Sequence, residues 1–219
     1  MKKLLFIMLV FCFVILTVFK VDANNLTFPL IGKTIIIDPG HGGVDQGASY
    51  RNIKEAELNL AISMFLRMEL ERLGAVVLMT REGNYDLSKP NAIQRKRSDF
   101  DNRIKLINNS GSDLFLSIHL NYFSNPIYYG PQVFYTNNFV DNEALARVLQ
   151  DTLNAKLDSK RQIKLLSNVN YMYDKLNIKG VLIECGFLSN PVERQKLVDP
   201  SYQREFARII AQGIVHYFS

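Results

Sequence analysis

Two histidines and two glutamates stand where the chain switches from apolar runs to polar turns. His41 lies in Pro39-Gly40-His41-Gly42-Gly43, just after the β-branched run Lys33–Asp38. His119 directly follows Leu114–Ile118, and Glu184 directly follows Val181–Ile183. Glu55 opens an amphipathic stretch downstream of His41. Two imidazoles and one carboxylate complete the protein ligand set of a catalytic zinc, leaving a position for water. A metal there lowers the pKa of that water and polarises an amide carbonyl. A second carboxylate, Glu184, could accept the proton of the water and return it to a leaving nitrogen. The glycines around His41 would allow a sharp turn and a close approach of substrate.

Each residue also has a plainer reading. Gly40, Gly42 and Gly43 could form a simple strand-to-helix turn, or a phosphate cradle; Val44-Asp45 follows where a phosphate loop wants Lys and Ser or Thr. His119 alone could be a hydrogen-bonded core histidine. Glu55 alone could be the N3 residue of a capping box opened by Asn52. Arg103 and Asn108 read as helix-surface residues, and His216, in the last helical stretch, as structural.

The elements that would position these residues can be read from periodicity. Runs at 34–38, 75–80, 114–118, 132–136 and 180–183 are expected strands. Stretches at 53–73, 93–109, 142–157 and 201–218 are expected helices, the second with Phe100, Ile104 and Ile107 on one face and Gly111 as its stop. A further short strand near Tyr171 has only a weak pattern. The alternation implies a single α/β domain: a mainly parallel, twisted sheet of about six strands with helices on both faces. In such a sheet ligands bind beyond the carboxyl ends of the strands, which is where His41, His119 and Glu184 would meet. At about 100° per residue, the stripe Leu58, Ile62, Phe65, Leu66 and Leu73 centres about 50° from Glu55 and about 110° from Glu57. Glu55 should therefore face the sheet and Glu57 the solvent. Strand alternation likewise turns Cys185 away from whatever Glu184 faces. Asn190, Pro191 and Glu193 read as N-cap, N1 and N3 of a short helix.

With these residues assembled, the chain resembles the zinc-dependent N-acetylmuramoyl-L-alanine amidases of the AmiA/CwlC type. The segments that carry the resemblance are Ile36-Ile-Asp-Pro-Gly-His-Gly-Gly43, Gln46-Gly-Ala48, the Glu55 helix, Phe115-Leu-Ser-Ile-His-Leu-Asn121 and Val181-Leu-Ile-Glu-Cys-Gly-Phe-Leu-Ser-Asn190. The resemblance implies one Zn2+ per chain held by His41, Glu55 and His119, with Glu184 as catalytic acid and base. It implies cleavage of the bond between the lactyl carbonyl of muramic acid and L-alanine in peptidoglycan. Asn121, Arg103 and Tyr122 are its candidate substrate contacts. Met79-Thr-Arg-Glu82, Tyr85-Asp-Leu87 and the single-domain layout are similar to the germination-specific amidases of spore-formers, which strip peptides from spore cortex before muramic-δ-lactam is made. The chain departs from the family at Glu55-Ala56-Glu57, where Glu-Lys-Asp is frequent, and near Tyr50, where a glycine is frequent. Tyr122 to Pro131 is too short for the inhibitory helix of some members. Two alternatives remain open at this point: another wall-active zinc hydrolase such as a carboxypeptidase, and a non-catalytic wall-binding relative.

The N-terminus reads separately. Lys2 and Lys3 precede the apolar run Leu4–Phe19, and Val21-Asp22-Ala23 offers a cleavage site, so residues 1–23 are an expected export signal or membrane anchor. Cys12 lies behind Phe11 and does not resemble a lipid-attachment cysteine. Residues 24–32 are an expected linker and 33–219 the catalytic domain, placed outside the cytoplasmic membrane. Cleavage would leave Cys185 alone, excluding an intramolecular disulfide. It would also remove three lysines and one aspartate, taking the formal charge from +5 to +3. That mild positive charge suits an acidic wall polymer and is too diffuse for nucleic acid. The aromatic stretch Tyr122, Phe123, Ile127, Tyr128, Tyr129 reads either as packing around a loop, or as a groove wall or docking patch for an accessory or activator protein at the membrane.

Overall fold

The computed structural model describes residues 27–166 and 171–219. The expected export signal, Cys12 and the first residues of the linker lie outside the described residues. Among those described, no helix is long and apolar enough to cross a membrane.

The chain folds as one α/β unit around a six-stranded sheet. Its elements are β1 (Thr34–Pro39), β2 (Ser49–Tyr50), β3 (Ile53–Lys54), α1 (Glu55–Arg72), β4 (Val76–Met79), α2 (Arg95–Asn108), β5 (Leu114–Asn121), β6 (Gln132–Tyr135), α3 (Asp141–Leu157), β7 (Lys164–Leu165), a 3-10 turn (Tyr173–Lys175), β8 (Gly180–Phe187), α4 (Pro191–Leu197) and α5 (Pro200–Phe218). The sheet order is β4-β1-β5-β8-β6-β7. All neighbours run parallel except β6 against β8. The short β2–β3 hairpin and β7 have no periodic signal in the sequence, because two residues carry no period. The weak pattern near Tyr171 leads into the 3-10 turn and not a strand.

Strand alternation divides the interior. Ile35 and Ile37 of β1 face the larger core, shared with Ile62 and Leu66 of α1, Leu149 of α3 and Ile210 of α5. Ile36 faces the opposite side, with Phe115, Ile107, Met172 and Leu176, covered by α2. Phe100 and Ile104 pack against this second cluster, as the helical period predicts. Burying such a side chain stabilises the fold by about 1.5–3 kcal/mol, so these two layers hold the sheet that carries the site. β5 and β8 approach so closely at Gly180 that a Cβ there would meet the Phe115 carbonyl oxygen at 2.2 Å. The end of the expected linker is itself docked: Leu30 is fully buried and donates its N–H to the Leu73 carbonyl.

Parallel register aligns the carboxyl ends. Pro39 pairs with Ile118, and His119 pairs with Glu184. β5 and β8 run on past the expected ends, so His119 and Glu184 lie within strands and not just after them.

Candidate active site

His41, Glu55 and His119 meet at this rim, their nearest ligand atoms all within 4.8 Å of one another. Glu55 Oε1 lies 3.2 Å from His41 Nε2 and 3.1 Å from His119 Nδ1. The carboxylate is fixed by three further donors: Ala48 N–H at 2.7 Å, Leu120 N–H at 3.2 Å and the Asn59 amide at 3.3 Å. This geometry overturns the capping-box reading of Glu55. The helix begins at Glu55 itself, after Lys54, and Asn52 caps nothing. Glu55 is 4% exposed while Glu57 is in solvent, as helical phase requires.

His41 has φ 61°, in the left-handed region that side chains other than glycine rarely adopt. Strain of this kind concentrates at functional sites, and here the surroundings impose it. Asp45 Oδ2 lies 3.0 Å from His41 Nδ1, which leaves Nε2 directed at Glu55. The His41 carbonyl accepts from Arg103 at 2.6 Å. Gly40 is required for a different reason: a Cβ there would lie 2.2 Å from the His119 ring.

The charges of these groups are strongly coupled. Burial opposes charge on His41, but the Asp45 and Glu55 carboxylates outweigh it and raise its pKa to about 9. Burial also opposes charge on Glu55, and the two histidines still hold it well below the ordinary carboxylate range. Two imidazole nitrogens and one carboxylate oxygen are the donor set of a catalytic zinc site, and the Asp45–His41 contact is the usual outer partner of a metal-bound imidazole.

Glu184 shares a cleft of about 390 Å³ with His41, His119, Asp38, Arg103, Tyr171 and Tyr173. Its Oε2 is buried without a hydrogen-bond partner among the described residues. Burial, against the pull of His119, lifts its pKa to about 7. A carboxyl near neutrality, oriented into a cleft and free of structural bonds, suits proton transfer. Cys185 is fully buried in the larger core, facing away as expected. α4 has its own cap: Asn190 accepts from Val192 and Glu193 N–H, with Pro191 in the first turn.

Behind the His41 turn lies a buried charged network that sequence reasoning missed in part. Arg103 is 1% exposed, which corrects its reading as a helix-surface residue. It binds Asp38 at 2.6 Å, Asp99 at 3.0 Å and the Pro39 carbonyl at 3.0 Å. Arg81, also 1% exposed, donates to the carbonyls of Pro39 at 2.9 Å, Gly40 at 2.8 Å and Ala56 at 2.8 Å. Arg81 lies two residues beyond β4, the neighbour of β1; that position and its place in Met79-Thr-Arg-Glu82 were its only signals. Asn108 is half-buried and holds the end of the 3-10 turn and the residues after it, through Lys175 and Asn177. Asn121 is half-buried at the end of β5 and Tyr122 is 49% exposed beyond it; neither lines the cleft. His216 is exposed in the last turn of α5. The loop between β5 and β6 contains no helix. It packs Phe123 and Tyr128 on each other and on Phe187, while Phe123, Ile127, Tyr128 and Tyr129 remain 42–67% exposed.

The family model for N-acetylmuramoyl-L-alanine amidase matches residues 35–216. The germination-specific N-acetylmuramoyl-L-alanine amidase of Bacillus subtilis (strain 168) is 38% identical, over all of this chain and 96% of that one. The CwlD amidase from Clostridioides difficile, solved in complex with the GerS lipoprotein, superposes with a TM-score of 0.80 at 39% identity, covering 85% of this chain and 98% of that one. An N-acetylmuramoyl-L-alanine amidase from Clostridium difficile 630 gives 0.74 at 32%, covering 84% and 96%.

Proposed function

The chain belongs to the N-acetylmuramoyl-L-alanine amidase family, and on that premise we propose that it is a zinc enzyme releasing stem peptides from muramic acid in spore cortex. One observation carries the reading: His41, Glu55 and His119 present their donors within 4.8 Å, with Glu184 across the β5–β8 pair from His119.

His41, Glu55 and His119 would hold the ion, which when bound supplies Lewis-acid polarisation of the lactyl carbonyl and a water of lowered pKa. Glu184 accepts the proton of the attacking water on its carboxylate and delivers it to the nitrogen of L-alanine as the C–N bond breaks. Burial raises its pKa to about 7 in the metal-free protein, which suits one group to serving in both directions. Asp45 keeps His41 Nδ1 engaged, so Nε2 would be the nitrogen that holds the ion. Arg103 and Asp38 line the floor of the cleft and position the His41 turn.

Peptidoglycan places the site of action outside the cytoplasmic membrane, to which residues 1–23 would deliver or tether the domain, with 33–219 as its catalytic unit. Residues Tyr122 to Tyr129 would receive an accessory protein, as the related CwlD amidase binds a lipoprotein. The test is product identity. Digestion of purified cortex should release intact stem peptides and leave muramic acid with free lactyl carboxyls, as read by mass spectrometry. Chelation should stop the reaction and zinc restore it. Peptides shortened at their C-termini, with the lactyl amide intact, would replace this reading with a carboxypeptidase.

A further inference from the structure

Arg95, Lys96 and Arg97 open α2, whose first turn contains no acidic residue. A helix N-terminus is the positive end of the backbone dipole, so cations there cost stability and carboxylates add it. α1 and α3 obey this rule, with Glu55 and Glu57, and Asp141 and Glu143, in their first turns. α2 breaks it at the mouth of the catalytic cleft. Arg95 turns back to Asp86 at 2.7 Å. Lys96, with a side chain 67% exposed, reaches the other way: its Nζ lies 3.8 Å from Asp45 and 5.7 Å from the centre of the Phe100 ring. Both of those residues line the cleft, and Asp45 is already engaged by His41. The Arg97 guanidinium lies 3.3 Å over the Tyr171 ring, and Lys175 Nζ lies 4.0 Å from the same ring. Tyr171 lines the cleft as well. Asp101, 3.6 Å from Arg97, offsets one of these charges. Two cations on one ring repel each other, and the dipole adds to the cost.

We propose that Lys96, Arg97 and Lys175 form a carboxylate-binding rim that receives the stem peptide as an acidic ligand, so that the enzyme selects peptides with free carboxylates on the leaving side of the scissile amide. The proposal rests on the amidase reading above. Among the described residues, the interior of the cleft offers no competing pocket for a free carboxylate. Asp38, Asp45 and Asp99 line it but are already paired, the first and last with Arg103 and Asp45 with His41, so the exposed cations for a peptide carboxylate lie at the rim.

Two synthetic muramoyl peptides, identical except that the peptide carboxylates are free in one and amidated in the other, provide the probe. Wild-type enzyme should favour the free acid, mainly through KM. In the double variant Lys96→Gln/Arg97→Gln the ratio of kcat/KM, free acid over amidated, should fall about five- to tenfold, as expected for two partly exposed ion pairs. High salt should lower the wild-type ratio toward that of the variant. The variant's melting temperature should hold or rise, because the dipole conflict is removed, and equal zinc content in both proteins excludes an effect through Asp45. Lys105→Gln, on the same helix away from the mouth, should keep the wild-type ratio. A wild-type enzyme indifferent to amidation, or a double variant with an unchanged ratio, overturns the proposal. Failure of wild type to hydrolyse either peptide removes the amidase reading, and the proposal with it.

Discussion

Glu184 combines two properties that a purely structural carboxylate avoids. One oxygen is buried without a partner among the described residues, and its pKa is lifted to about 7. An unmade hydrogen bond in a buried place costs about 1–3 kcal/mol, and the fold could remove that cost with any apolar residue. The neighbouring turn does not need Glu184, since Asn190 caps α4 and Glu193 accepts from Gly130 and Phe187 N–H. Glu184→Gln keeps shape and removes the basic oxygen. It should bind zinc and melt like wild type, while turnover falls by about 10²–10⁴-fold, the range for a general acid–base group. Zinc content, melting and rate on one preparation decide the point. Loss of zinc would make Glu184 a ligand, and near-normal turnover would remove it from the mechanism.

At the level of elements, the site depends on three segments held at fixed spacing: the turn after β1, the first turn of α1, and the end of β5. Arg81 is the tie between the first two. It emerges from β4, whose register with β1 sets Met79 beside Ile37 and carries the next residues to Pro39. One guanidinium then bonds carbonyls on both sides, Pro39 and Gly40 before His41, and Ala56 just after Glu55. Asn59 adds a second bridge, from Gly40 to Glu55. Arg81→Lys keeps the charge but loses the planar fork, so one ammonium cannot reach all the acceptors. The variant should fold and bind zinc about 10–100-fold more weakly, the usual cost of losing an outer-shell support. Competition against a chelator measures this well below the melting temperature. An unchanged affinity would leave Arg81 as a packing residue only.

For the molecule as a whole, the site couples stability to pH. In the metal-free protein both His41 and Glu184 have folded-state pKa values above their ordinary ones, about 9 against 6.5 and about 7 against 4.5. A raised pKa means that the folded state binds more protons, so stability falls as pH rises. The Glu184 contribution is lost between about pH 4.5 and 7, and the His41 contribution between about 6.5 and 9. Asp45, lowered to about 2, and Glu55, also lowered, act oppositely, and their contributions are lost only in acid. Metal-free protein should therefore melt at progressively lower temperature from pH 5 to 9.5. Zinc binding requires a neutral His41 ring and is favoured along the same rise, so added zinc should stabilise more at pH 8.5 than at pH 6. Scanning calorimetry with and without zinc tests both statements, and a metal-free melting point that climbs across this range would contradict them.

The sequence alone determined which residues meet. A parallel α/β sheet brings the carboxyl ends of its strands to one rim, so His41, His119 and Glu184 were legible from where apolar runs stop. Helical phase added Glu55 and rejected Glu57, and strand alternation turned Cys185 away. These are local regularities with a period. Only the tertiary structure decided what holds the residues in place. Asp38 and Arg103 are 65 positions apart, and Arg81 bonds carbonyls 42 and 25 positions away. No periodicity links such positions, and a charged residue on an amphipathic helix reads as solvent-facing until its partner is known. The antiparallel β6, the two-residue strands and the cations gathered at the cleft mouth were hidden for the same reason. Each depends on a neighbour that the chain reaches only by folding.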